Sequence, residues 1–329
     1  MVYFAFDNPA DQDKMAFIIN NKLNIKTFFP AKKLNSSKEM IKFNKYILSK
    51  TIDNDIVIFW YDFMGVLFEH LSRLNRKKRK IIILNILLKK KKTIKNKLAK
   101  ILYRKSLIKS NVLSTVTSFE YGQYIADYLK IKNNFKLLRD PYHIVDNINS
   151  NDESYLFCGG RNGRDWDFIF DVANTLKDIN FHFVLSKDDY LKFKDKKSNN
   201  IKIMHDISLE EFEKELKSSM FLTIPLNTDS PAGLLAFYQA AQFEKCIMTS
   251  TNIVAKEYLS NDKGICLDKD VSIWVKAIKE LIEQPNTRKK LALNFKRYLE
   301  TECNEIMYLN EINNLIKIMK VEENNYGRN

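Results

Sequence analysis

The feature that most constrains this chain is a repeated change of hydrophobic period. Short apolar runs of strand length alternate with longer segments whose apolar positions recur at helical spacing. In the second half the strand-sized runs are SYLFCGG (154–160), FHFVLS (181–186), IKIMHDI (201–207), MFLTIPL (220–226), CIMTS (246–250) and GICLD (264–268). Between them DWDFIFDVANTLKD, SLEEFEKELKSS, GLLAFYQAAQF and IVAKEYLS carry helical patterns, and Ser208 with Glu211 makes a capping box. The first half alternates in the same way. MVYFAF, IKTFFP, DIVIFWYDF, KIIILNILL, SNVLSTVTS and FKLLRDP are strand candidates, with helices near 36–50, 64–75, 94–106 and 119–130. Such alternation predicts an α/β architecture with doubly wound parallel sheets. Ligands of such sheets bind beyond the carboxyl ends of the strands.

A chain of 329 residues exceeds the size at which one core keeps growing, so two domains are expected. The Pro-, Asn-, Asp- and Ser-rich stretch RDPYHIVDNINSNDES is the natural linker. The expected organisation is a domain over 1–145, a second over 146–285, and, after Pro285, C-terminal helices over 286–329 packing back toward the first domain. NNYGRN reads as a frayed tail. Cys158, Cys246, Cys266 and Cys303 show no metal-ligand or redox spacing and read as reduced thiols. The start has no basic region followed by an apolar one, and no apolar run reaches the length of a spanning helix. A cytoplasmic protein is the expectation, and the Lys, Asn and Ile bias is that of an AT-rich bacterium.

The formal net charge of +14 belongs to one half. Residues 1–150 hold 29 Lys and Arg against 12 Asp and Glu, whereas the remaining 179 hold 25 against 28. Arg73–Lys109 contains 16 cations and no acid, so this block either meets something anionic or stays solvated. Ile94, Leu98, Ile101 and Leu102 share one face of the helix within it. A basic strip beside an apolar stripe suits an anionic membrane surface, each cation contributing about 1 kcal/mol. The alternative packs the stripe inward and leaves the lysines in water. A nucleic-acid role is not expected, because the block lacks Arg/aromatic interleaving and no recognition motif is present.

Only 8 glycines occur in the chain, yet Gly159, Gly160 and Gly163 fall together in FCGGRNGRDW, where a predicted strand gives way to a predicted helix. Glycine there permits positive φ and close backbone approach, and Arg161 and Arg164 flank the helix N-terminus, an arrangement suited to a diphosphate. The alternative is a tight turn whose arginines face solvent or pair with Asp165 and Asp167. A second stretch, PLNTDSPAGLLAFYQAAQFEKCIMTS, leads from a strand end through a polar loop into a helix at Ala232 and Gly233. The amides of Ala232, Gly233 and Leu234 would then face the same carboxyl edge. Gln239 lies about two turns along that helix, either within reach of a ribose or as an ordinary surface glutamine.

GGRNGRDW and SPAGLLAFYQAAQFEKCIMTS resemble the donor-binding motifs of GT-B glycosyltransferases, especially the retaining enzymes of family four. The resemblance covers residues 150–285 by motif and residues 1–150 by architecture alone. It implies two facing Rossmann-like domains with a central cleft, a nucleotide-sugar such as a UDP-sugar held mainly by the C-terminal domain, and no cofactor or metal. By position, Arg161 and Arg164 match the basic pair that neutralises the diphosphate and stabilises the leaving group. Gly160 belongs to the same turn. Ser230, Pro231, Ala232, Gly233 and Leu234 match the loop and helix start under the sugar and phosphate. Gln239 stands where the family usually has a ribose-binding glutamate, Asp206 and Ile207 fall where the base is gripped, and Tyr258 resembles a structural tyrosine.

The sequence departs from the family at Gln239, which loses a charge, and at AFDNPADQDK, which lacks the usual Gly-rich first loop. On the acceptor side Asp62 ends a strand and either touches an acceptor hydroxyl or caps the next helix; Ser118 has the same two readings. His70 reads as packed or solvent-facing, His143 lies in the linker, and His182 alternates with apolar neighbours in a strand. The expected function is sugar transfer to a glycan or lipid-linked acceptor at the inner face of the membrane, in surface polysaccharide or glycoprotein assembly. The competing expectation is a non-catalytic glycosyltransferase-like subunit that binds a partner enzyme.

Overall fold

Every strand candidate forms a parallel strand, because runs such as IVIF and KIII become buried on both faces once helices cover the sheet. The computed structural model of the protein describes residues 1–11, 23, 25–88, 93–143, 154–196 and 198–321. They form two units, Met1–Pro141 with Glu305 onward, and Tyr142–Asn304.

The first unit contains β1 (Val2–Ala5), β2 (Lys26–Phe28), α1 (Ser37–Lys50), β3 (Ile56–Phe59), α2 (Asp62–Leu74), β4 (Lys80–Ile83), α3 (Ile94–Leu107), β5 (Val112–Val116), α4 (Phe119–Leu129) and β6 (Lys136–Leu137). Its sheet order is β2-β1-β3-β4-β5-β6, with every neighbouring pair parallel. A reciprocal capping box between Ser36 and Glu39 starts α1. Ser118 caps α4 through the Tyr121 amide, which settles its two readings in favour of the cap.

The second unit contains β7 (Tyr155–Gly159), α5 (Trp166–Thr175), β8 (Asn180–Leu185), α6 (Lys187–Phe193), β9 (Ile201–His205), α7 (Leu209–Ser218), β10 (Phe221–Ile224), α8 (Leu234–Gln242), β11 (Cys246–Ser250), α9 (Ile253–Leu259), β12 (Ile265–Leu267), α10 (Val271–Glu283) and α11 (Pro285–Glu302). Its order is β12-β11-β10-β7-β8-β9, again all parallel. The predicted box at Ser208 and Glu211 caps α7. Helix α6, capped by Ser186, has no counterpart among the sequence assignments. Its charged composition hides a period that only seven residues carry.

The segment after Pro285 divides between the units. Leu291 of α11 joins the core of the second, with Trp274, Ile278 and Leu281. The last helix, α12 (Glu305–Val321), inserts Tyr308, Leu309, Ile312, Leu315, Ile316 and Met319 into the core of the first, against Phe4, Ile58 and Ile82. The domain boundary therefore falls at Pro141/Tyr142 rather than 145/146, and α11 stays with the second unit. Most of the predicted linker and all of NNYGRN lie outside the described residues.

A polar chain crosses the carboxyl ends of β4, β5 and β6. Asn85, in a left-handed conformation at φ 45°, bonds the Thr115 hydroxyl through its amide and its side-chain oxygen, and its Nδ2 donates to Asp140 at 2.9 Å. Burial pushes the Asp140 carboxyl up to about 6, against the pull of that hydrogen bond. An acid with a raised folded pKa binds more protons in the folded state, so its ionisation destabilises the fold between the unfolded and folded values. Stability is therefore expected to fall as pH rises from about 4 to about 6. Asp140→Asn should flatten that slope in denaturant titrations across the range.

Candidate functional site

The order of the second sheet reverses between β7 and β10, which are neighbours in space although three helices and two strands separate them in sequence. Such a reversal leaves a crevice beyond the carboxyl ends of the two strands. Both glycine-bearing stretches singled out in the sequence leave the sheet there. FCGGRNGRDW follows β7, and PLNTDSPAG joins β10 to α8.

The two turns are bonded into one body. Arg164 and Leu226 form an antiparallel bridge, the Asp165 amide donates to Pro225 O at 3.0 Å, and the Asn227 amide donates to Gly163 O at 2.9 Å. Asn227 Nδ2 adds a bond to Arg164 O. Behind them the Ser250 hydroxyl accepts from the Leu226 amide at 2.7 Å and donates to its carbonyl at 3.0 Å. Thr228 Oγ1 accepts from the Ser230 amide at 3.1 Å and bonds its hydroxyl.

Two glycines make this possible. At Gly163, with φ 71°, a Cβ would stand 2.6 Å from Thr228 Cγ2 and 3.0 Å from Ala232 Cβ, so this is where the loops touch. At Gly160, with φ 119°, the space of a Cβ is taken by the Arg164 guanidinium. That guanidinium donates from Nε to Gly159 O at 2.9 Å and from Nη1 to Asn162 O at 2.6 Å. Burial pulls its pKa down to about 10. No carboxylate pairs with it among the described residues: Asp165 caps α5 and is paired with Lys269, and Asp167 is paired with Lys196. Arg164 therefore does not pair with those aspartates, while Arg161 is exposed, as the solvent-facing alternative has it. The guanidinium is half-buried, so a cation with no carboxylate beside it favours an anion at this turn.

Helix α8 starts beside it with Gly233 as N-cap at φ 90°, and no side chain caps its first turn. A helix start of this kind favours negative charge. The Ala232 amide, expected to face the crevice, instead donates to Ser230 O at 2.6 Å within the loop. Pro231 is half-buried, and the Leu234 side chain is buried in the unit's interior.

Other expected residues fall into three groups. Asp206 and Ile207 follow β9 at the same carboxyl edge. Asp206 is left-handed at φ 50° and exposed, 3.7 Å from His205 Nδ1, and the His205 ring lies 4.1 Å from that of Tyr190. Gln239 is not a surface glutamine: it is buried, with Nε2 3.4 Å from Glu213 Oε1 on α7. Asp62 is the clear correction. It is buried at the first position of α2, after the N-cap Tyr61, and its carboxylate accepts from the Phe63 and Leu87 amides and the Tyr103 hydroxyl. It ties the start of α2 to the segment after β4 and is neither a cap nor open to an acceptor.

Among the histidines, His70 is held between Leu102 O and Arg73, and His182 Nδ1 pairs with Glu215 at 2.6 Å. The His143 carbonyl lies 3.4 Å from Gln242 Nε2. Tyr258 is fully buried. The AFDNPADQDK stretch forms a 3₁₀ turn at Pro9–Asp11 before leaving the described residues. Sequence reasoning missed Thr228, Asn227 and Ser250; their roles come from partners distant in sequence, which no local pattern signals.

No family model matches the chain, and no curated protein matches it. Solved structures do. HepE of Anabaena, in complex with UDP and glucose, superposes with a TM-score of 0.72 at 12% identity, over 96% of this chain and 99% of that one. The sucrose-phosphate synthase of Thermosynechococcus elongatus gives 0.70 at 11% identity, over 97% and 88%. The chain has the GT-B fold. TarM of S. aureus matches at 0.66 and 14% identity over 84% of this chain, which spans 58% of TarM. In this GT-B chain the two motifs that carried the resemblance sit on the two sides of the β7/β10 reversal.

Because Gly163 combines positive φ with a filled Cβ position, Gly163→Ala should cost about 1–3 kcal/mol. Asn162→Ala, whose side chain is exposed, should be near neutral. Urea denaturation of the two variants compares them directly.

Proposed function

We propose that this GT-B protein is a glycosyltransferase that moves a sugar from a nucleotide-sugar, most simply a UDP-sugar, to a glycan or lipid-linked acceptor. The observation that carries the reading is the half-buried Arg164 guanidinium without an acidic partner among the described residues, beside the uncapped start of α8 at the strand-order reversal. Sugar transfer releases a nucleoside diphosphate, and negative charge grows on its β-phosphate as the glycosidic bond to the donor breaks. Fixed cations and helix-start amides stabilise such charge, each donor contributing about 2.7–4 kcal/mol by analogy with oxyanion sites.

In this reading Arg164 and Arg161 bear on the diphosphate, and Gly160 lets its backbone approach. Ser230, Pro231, Ala232, Gly233 and Leu234 form the wall under the phosphate and sugar. Asp206 and Ile207 hold the base, and Gln239 faces the ribose. The transfer is retaining and needs no metal or cofactor. The acceptor belongs to the first unit, and the setting is bacterial surface polysaccharide or glycoprotein assembly at the inner face of the membrane. Solved neighbours in complex with UDP support the choice of donor.

The engagement of Gln239 with Glu213 favours a second reading, a non-catalytic subunit of the same fold that binds a partner enzyme. Thermal denaturation against nucleoside diphosphates and nucleotide-sugars separates the two. A ligand at 100 times its Kd stabilises by about 2.7 kcal/mol, and Arg164→Ala or Arg161→Ala should each weaken binding by roughly 10- to 100-fold. Slow donor hydrolysis without acceptor is expected of the enzyme. Stabilisation by no nucleotide would sink the donor site and leave the subunit.

A further inference from the structure

Helix α3 is built the wrong way round for a helix that meets only water. A surface helix normally turns its apolar stripe inward and its charges outward. Here Ile94, Leu98 and Ile101 are 78%, 59% and 49% exposed, and Ile108 just past the helix end is 60% exposed. At i, i+4 and i+7 the first three fall within roughly a 60° sector. The opposite side carries Tyr103 and Ser106, the only residues of this helix that are buried.

That inward side is firmly held. The Tyr103 hydroxyl bonds the buried Asp62, its ring stacks on Phe63 at 6.1 Å, Leu102 O lies 3.1 Å from His70 Nε2, and Lys100 sits over the Tyr128 ring at 4.1 Å. Rolling the helix to bury the isoleucines would break all four contacts. The outward ridge is therefore a fixed feature. Exposed Lys95, Lys97, Arg104, Lys105 and Lys109 surround it, in a block that contains no acid from Arg73 to Lys109. Lys89–Lys92 lie outside the described residues.

We infer that α3 is a membrane-contact element, which sets the Ile94–Leu98–Ile101 ridge into the headgroup boundary of an anionic lipid surface while the surrounding cations meet lipid phosphates and carboxylates. An apolar ridge edged with cations matches such an interface in both chemistries. No helix among the described residues is long and apolar enough to cross a membrane, so the contact is interfacial. This contact makes specific the membrane side of the proposed function, but it stands on exposure and charge and not on the donor site.

The test is sedimentation of the full chain with vesicles of phosphatidylcholine alone and of phosphatidylcholine with phosphatidylglycerol. Binding to the anionic vesicles, weaker at high salt and weak on neutral ones, is the expected result. Each cation removed, as in Lys95→Gln or Lys97→Gln, should lower partitioning about fivefold. Leu98→Glu/Ile101→Glu should abolish it while leaving the thermal transition in place, because both side chains are already exposed.

The inference is overturned by no sedimentation with anionic vesicles at low salt, by sedimentation unchanged in Leu98→Glu/Ile101→Glu, or by a concentration-dependent dimer that this double variant dissolves without any vesicle binding. Tighter binding to mixed-sequence RNA than to vesicles at equal salt also overturns it. Nucleotide-induced stabilisation measured on the same preparations reads the donor site separately, so failure of one reading is not failure of the other.

Discussion

The Arg164 guanidinium is bonded to the carbonyls of Gly159 and Asn162 and to no carboxylate among the described residues, and the surrounding backbone is shaped to hold it there. It fills the place of a Cβ at Gly160, which explains a glycine at φ 119°. The same residue forms the bridge to Leu226, and that bridge aligns the Asn227 and Asp165 amides with their acceptors across the strand-order reversal. Gly163 then lets Thr228 and Ala232 approach. Removing the charge would therefore disturb the loop that leads to the start of α8 as well as the electrostatics. In a protein whose net stability is a small remainder of large terms, a half-buried cation fixed by two carbonyls and no carboxylate leaves its charge available to an anion.

The strands were legible because sheets covered on both faces need continuous apolar runs, and this chain supplies them where Gly, Asn, Asp and Pro mark the ends. The two motifs were legible because a glycine turn between strand and helix is a local signal. What escaped was set by partners far along the chain. Asp62 looks available at a strand end, yet the Leu87 amide and the Tyr103 hydroxyl close around it, and neither neighbour can be read from DFMG. Gln239 was placed on the right helix, but its burial against Glu213 depends on how α7 packs on α8. The division of the C-terminal helices depends on which core their apolar residues enter. Leu291 finds Trp274, and Ile312 finds Phe4.

Helix α3 shows the limit of periodicity in a sharper form. Of the face marked by Ile94, Leu98, Ile101 and Leu102, the first three are exposed together and Leu102 is half-buried, because a period says only that a face exists. Which face is covered depends on the neighbouring elements. Phe63 and His70 of α2 and Tyr128 of α4 engage Tyr103, the Leu102 carbonyl and Lys100, and the apolar ridge is left outward. The concentration of positive charge in the first half of the chain then acquires a location, since Lys95, Lys97 and Arg104 lie beside that ridge. Charge alone would fit any polyanion, and an apolar ridge alone would fit any apolar partner. Their coincidence on one rigid helix is what narrows the partner to a surface offering anionic groups above hydrocarbon.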